Sequence, residues 1–206
     1  VDYAKSLLDE GIRGLKAWTL DFAAHKPGGP LYISHKDLDE GLRPLRAIRE
    51  ALGSDIELMI DGHGFFQLAA ALRICRAVRD LDLQWLEDII RSDSVDTIAD
   101  LRQKADVPLA VSEMLVGYED FRLVLENRAA DYVMIDPTWV GGISQTRRVA
   151  ELAQFYNVPV VMHDCTGPFT LLSGIQVATA AANVAWQETL RAHIRLLYPQ
   201  LICESI

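Results

Sequence analysis

Six apolar segments of the chain each end in an acid or a histidine, and these terminal residues recur at a nearly constant interval. Asp61, Glu87, Glu113, Asp136, His163 and Glu188 are separated by 26, 26, 23, 27 and 25 positions. One strand, one helix and two short loops occupy about that much chain. The segments they close (56–61, 83–87, 108–113, 132–136, 159–163 and 184–188) and a seventh at 14–18 are near-continuously apolar. That character suits strands of a parallel sheet covered on both faces.

Helical periodicity fills the intervals. Leu68, Leu72, Cys75 and Val78 mark one apolar stripe, residues 38–52 end at Gly53 as a left-handed cap, and residues 94–105 begin at Ser94, a residue type suited to a helix start. Strand–helix alternation predicts right-handed βαβ units and an α/β fold. In an open doubly wound sheet the six polar ends would lie along a line, whereas in a (β/α) TIM-type barrel they converge on the face that carries the active site. Equal spacing favours the barrel. A helix over 3–11 leads directly into the strand at 14–18, where a barrel needs an earlier strand. The expectation is therefore a partial barrel domain over 1–206, truncated at its amino end, with seven strands visible and the first missing. Residues 189–206 are too few for a further βα unit and another domain.

The three acids that end successive strands, Asp61, Glu87 and Glu113, would repel strongly unless a cation neutralises them. An all-oxygen set suits Mg²⁺. Taken singly, each could instead cap the next helix or pair with an arginine; their common spacing favours the metal. Asp136 and His163 end neighbouring strands, and a carboxylate on one imidazole nitrogen makes the other a proton acceptor near neutral pH. His63, two residues after Asp61, would project on the same side as that ligand. It could protonate a leaving hydroxyl, ligate the metal, or be an ordinary loop histidine. Glu188 could hydrogen-bond a developing enolate oxygen or hold a positive side chain. Lys16, near the end of the strand opposite the Asp136–His163 pair in ring order, could act as a second acid/base, stabilise charge, or point outward. Trp18 at the next inward position reads as a pocket wall. His25, His35 and His193 read as surface or loop residues. Ser112 and Cys165 have no matched base.

Composition excludes several classes. With 20 Lys+Arg against 29 Asp+Glu the formal charge is −9, which argues against a nucleic-acid or anionic-membrane surface. No apolar run approaches a membrane span. Three scattered cysteines indicate neither a disulfide framework nor a thiolate zinc site. These features predict a soluble, cytoplasmic globular protein.

In order and spacing, Ile60-Asp61-Gly62-His63, Trp85-Leu86-Glu87-Asp88, Ser112-Glu113, Ile135-Asp136-Pro137 with Gly141-Gly142-Ile143, Met162-His163 and Trp186-Gln187-Glu188 resemble the barrel domain of the enolase superfamily. Within it they resemble the mandelate racemase-type subgroup. The resemblance implies Mg²⁺ ligation by Asp61, Glu87 and Glu113 and a general base formed by His163 with Asp136. His63 beside the first ligand is similar to the sugar-acid dehydratases, such as those acting on galactonate, where that histidine expels the 3-hydroxyl. The implied reaction removes the proton α to a carboxylate, passes through an enediolate helped by Lys16 and Glu188, and yields a 2-keto-3-deoxy acid. The implied partners are a small-molecule sugar acid and other copies of the chain in a homo-oligomer. Three departures stand out. The family's capping domain and first strand are missing, Trp18 stands where many members carry a second lysine, and Ile89 replaces the proline common after the second ligand. A racemase or epimerase on the same site, a metal-dependent aldolase or hydrolase on an unrelated barrel, and an inactive fragment remain as alternatives.

Overall fold

Among the described residues, the longest helix shows how local chemistry sets the elements. In the computed structural model, which describes residues 1–203, this helix runs His35–Leu52 and starts where the Ser34 hydroxyl accepts the Asp37 amide at 3.0 Å. Leu38, Leu42, Leu45 and Ile48 form its buried face, and Pro44 sits on the exposed side, where solvent can satisfy the carbonyl it leaves unbonded. Gly53, with φ +53°, ends it. Arg49 then spans the turn, donating to the carbonyls of Gly53, Ile56, Leu81 and Asp82 at 2.6, 3.0, 2.9 and 3.1 Å.

The chain divides into two units, Val1–Ala110 and Val111–Ile206. The first contains α1 (Asp2–Asp9), β1 (Gly14–Ala17), α2 (Asp21–Ala24), α3 (His35–Leu52), β2 (Glu57–Asp61), α4 (Leu68–Ala77), β3 (Trp85–Glu87) and α5 (Val95–Lys104). The boundary falls inside β4 (Leu109–Val111). The second unit continues with α6 (Gly117–Glu126), β5 (Tyr132–Ile135), α7 (Pro137–Val140), α8 (Ile143–Phe155), β6 (Val160–Met162), α9 (Pro168–Ala180) and β7 (Val184–Gln187). Among the described residues the seven expected strands are all present, and their ladders are parallel. Strand order follows chain order within each unit, β1 to β4 in the first and β5 to β7 in the second. Residues 204–206 of the expected domain lie outside the described residues.

Burial follows the apolar pattern most closely in the inner strands. Every residue of β3, β4 and β6 is buried, whereas β1 and β7, each laddered to a single strand within its own unit, are mostly half-buried. The stripe expected on α4 is rotated. Cys75 and Val78 are buried, but Leu68 and Leu72 are only half-buried, and Ala70, Ala71 and Ile74 complete the inner face. Small alanines let a helix approach its support closely, so apolar size alone marked the wrong edge of the face. Ser94 stands at the start of α5 as expected, although its hydroxyl pairs with Thr97 Oγ1 at 2.8 Å and not with a backbone amide. Among the described residues no helix is long and apolar enough to cross a membrane.

Leu58 in β2 is fully buried. Leu58→Ala should lower the free energy of unfolding by about 2–5 kcal/mol in urea titrations, through lost transfer energy and an unfilled cavity. A change below about 1 kcal/mol would mean that this strand is not part of the core.

Candidate active site and metal centre

Strand register explains why two of the three acids meet. Asp61 and Glu87 are direct partners across β2 and β3, so their side chains leave the same side of the sheet. Glu87 is also partnered by Ala110 in β4, which leaves Glu113 three residues further on, in the turn that follows the strand. Glu113 is thus supplied by a loop, not by a strand tip. One oxygen from each of Asp61, Glu87 and Glu113 lies within 4.8 Å of the others, and all three residues are buried. The loop after β2 is packed tightly enough to require glycine: a Cβ on Gly62 would stand 2.8 Å from Ile89 Cα.

Lys16 points into this cluster. Its ammonium donates to Glu87 and lies 3.2 Å from Asp61 Oδ2. The Trp85 indole N–H donates to the other Glu87 oxygen at 2.9 Å. Lys16 brings one positive charge to three carboxylates, and the buried Glu113 Oε2 has no hydrogen-bond partner. A buried oxygen of that kind is costly unless something binds it. The residues present therefore fit a hard divalent cation such as Mg²⁺, which takes oxygen ligands and retains open positions.

His63 reaches Asp61 by a route other than strand alternation. Strand β2 stops at Asp61, and His63 adopts a left-handed backbone with φ +49°. Its amide donates to Asp61 Oδ1 at 2.9 Å, which closes a small turn. The ring lies with Nε2 3.6 Å from Asp61 Oδ2 and Nδ1 2.9 Å from Asp21 Oδ2, and the Trp18 ring makes an edge contact at 5.5 Å.

In the second unit, Asp136 and His163 form the expected pair. His163 Nδ1 lies 2.8 Å from Asp136 Oδ2, and both residues are buried. Asp136 also accepts the amides of Thr138 and Trp139 at 2.7 and 3.1 Å and the hydroxyls of Thr138 and Thr166 at 2.5 and 2.9 Å. Burial, the largest influence on each group, opposes the charge of both. It is outweighed: bonds from His163, Thr138 and Thr166 hold the Asp136 carboxyl below its usual range. Asp136, the Cys165 thiol, Glu188 and Glu113 together push His163 up to about 11. Glu188 Oε2 lies 3.9 Å from His163 Nε2.

Several contributors carried no signal in spacing. Asp21 is 42 positions from His63, and Thr138 and Thr166 obey no strand-end interval. Trp85 stands two residues before Glu87, so the face it shares with that acid was readable from alternation. Next to His163, the buried Asp164 accepts the Tyr198 hydroxyl at 2.7 Å, and burial raises its carboxyl above the usual range. His193, expected as a surface or loop residue, is half-buried with its ring 5.6 Å from that of Tyr198. His25 and His35 are exposed, as expected.

Comparison with known proteins identifies a family for the chain. Residues 1–204 match the family described as Enolase C-terminal domain-like. The chain is 31% identical over 156 residues to the arabinonate dehydratase of Saccharolobus solfataricus, covering 76% of this chain and 42% of that protein. It is 31% identical over 152 residues to the D-xylonate dehydratase of Haloferax volcanii, covering 74% of this chain and 37% of that protein. A crystal structure of an enolase of the mandelate racemase subgroup from Agrobacterium tumefaciens superposes with a TM-score of 0.89 at 37% identity, over 93% of this chain and 52% of that one. The chain thus spans about two fifths of the dehydratases and half of the solved protein. The parallel α/β fold of barrel type expected from the strand spacing is the fold of that neighbour.

Two outcomes follow from this geometry. Titration with Mg²⁺ should raise the thermal midpoint of the wild-type chain, and Glu113→Gln should weaken Mg²⁺ affinity by at least ~10–100-fold in calorimetry; equal affinity would remove Glu113 from the ligand set. His163, raised above its usual 6.5, contributes stability that is complete below that value and is lost as pH rises through about 11. The lowered Asp136 contributes stability above its usual 3.8, lost as pH falls through its native value. Asp136→Asn should therefore shift the His163 midpoint down in NMR titrations and destabilise the chain at pH 7, with the deficit shrinking above about pH 11. An unchanged midpoint would contradict the coupling.

Proposed function

Because the chain belongs to the Enolase C-terminal domain-like family, we propose that residues 1–206 form the metal- and base-bearing part of a Mg²⁺-dependent sugar-acid dehydratase. The observation that carries the reading is the His163 imidazole, buried and bonded through Nδ1 to Asp136, which leaves Nε2 as its proton-accepting atom. The two dehydratases described above are named for arabinonate and xylonate, and a small sugar acid is the substrate class inferred here.

Mg²⁺ held by Asp61, Glu87 and Glu113 would bind the substrate carboxylate and offset the charge that develops on it. His163 Nε2 takes the proton α to that carboxylate. In its neutral form, an imidazole of such high proton affinity is a strong acceptor. The Lys16 ammonium, beside Asp61 and Glu87, adds preorganised positive charge. The Glu188 carboxylate, with Oε2 3.9 Å from His163 Nε2, favours the imidazolium that forms when the proton is taken. His63 Nε2 delivers a proton to the departing 3-hydroxyl. The C–O bond breaks, water leaves, and the enol that remains tautomerises to a 2-keto-3-deoxy acid.

The experiment is a panel of sugar acids incubated with the Mg²⁺-loaded protein, assayed for 2-keto product. His163→Asn should reduce turnover by at least ~10²–10⁴-fold and abolish solvent deuterium incorporation at the α carbon. Near-normal turnover of the variant on every acid that the wild type accepts would overturn the proposal. Deuterium incorporation without keto product in the wild type would assign a racemase or epimerase instead.

A further inference from the structure

The histidine placed beside Asp61 has a carboxylate of its own. Asp21 stands in the first turn of α2, with its side chain 23% exposed, and its Oδ2 lies 2.9 Å from His63 Nδ1. An ionised carboxylate can only accept, so the imidazole is the donor and Nδ1 carries the proton of this bond. The other ring nitrogen, Nε2, which carries the transferable proton when the ring is charged, is the atom 3.6 Å from Asp61 Oδ2. We propose that Asp21 is a positioning residue that fixes the rotamer and tautomer of His63, so that Nε2 is the atom presented for proton transfer to the leaving group. The inference rests on the reading of His63 as the acid of the elimination.

Four observations support it besides the distance. His63 is held in a left-handed backbone conformation that non-glycine residues adopt rarely, and its own amide is tied to Asp61. The Trp18 and Phe65 rings flank the imidazole at 5.5 and 5.9 Å and limit its rotation. Asp21 Oδ1 is buried without a hydrogen-bond partner, an arrangement unfavourable for stability and consistent with a carboxylate placed for the bond that Oδ2 makes. The pattern repeats the Asp136–His163 bond of 2.8 Å, so each unit carries one imidazole oriented by one carboxylate.

The test separates the two halves of the reaction in the full-length, Mg²⁺-loaded protein. Asp21→Asn should lower kcat for elimination by ~10–100-fold and leave KM within about twofold. Deuterium incorporation at the α carbon, which depends on His163, should persist. His63→Asn should show the same selective loss, and Asp21→Glu should recover part of the rate. Equal loss of exchange and elimination, or unchanged elimination, would overturn the role of Asp21. A second arm needs no turnover: ¹⁵N NMR of the His63 ring in the wild type should show the proton of the neutral imidazole on Nδ1, and Asp21→Asn should redistribute it. A wild-type ring with its proton on Nε2 would refute the proposal even where no sugar acid is consumed. Absence of any elimination by the wild type, with the Nδ1–H tautomer intact, would instead defeat the reading of the reaction.

Discussion

Like charges brought together away from water set the terms for the rest of this structure. At about 4 Å, two carboxylates repel by roughly 4 kcal/mol at an effective dielectric of ~20, and desolvation adds to that cost. Here Asp61, Glu87 and Glu113 are held within 4.8 Å and buried. The hydrophobic strands beneath them must supply enough stability to keep that cluster in place. The parallel register of β2 and β3 forces Asp61 beside Glu87, Lys16 and the Trp85 indole satisfy part of the pair, and the loop after β4 returns Glu113 to it. A hard cation would resolve the remaining imbalance with the ligand type it prefers.

The same logic governs the imidazoles. A ring nitrogen bonded to a carboxylate has a defined tautomer and presents the other nitrogen in a defined direction, and both histidines of the proposed reaction are bound this way. Asp136 is itself fixed by two backbone amides at the start of α7 and by the hydroxyls of Thr138 and Thr166. Those bonds keep it ionised against burial, and its charge in turn holds the proton on His163. Geometry and proton affinity are therefore set by the same short contacts, a requirement for general base chemistry.

Strand positions were legible because near-continuous apolar runs closed by a polar residue have few other interpretations. The triad and the Asp136–His163 pair followed from the interval between those closures. What the spacing could not convey was how each side chain arrives. Glu113 comes from a turn, and His63 comes from a left-handed residue whose placement depends on a bond to Asp61 Oδ1. Asp21, Thr138 and Thr166 lie at no periodic position, since a side-chain hydrogen bond between distant loops leaves no trace in local sequence. The α4 face was misplaced for a related reason: alanines pack inward because they are small, and hydropathy alone ranks them below leucine.

Crystals of the chain grown with Mn²⁺, a spectroscopically visible substitute for Mg²⁺, would locate the ion by anomalous scattering. The structure predicts a single strong peak bonded to one oxygen each of Asp61, Glu87 and Glu113, with the Glu113 Oε2 that otherwise lacks a partner brought into the coordination sphere or its second shell. A cluster that remains metal-free at saturating Mn²⁺, or a peak on other residues, would contradict the metal centre on which the proposed chemistry stands.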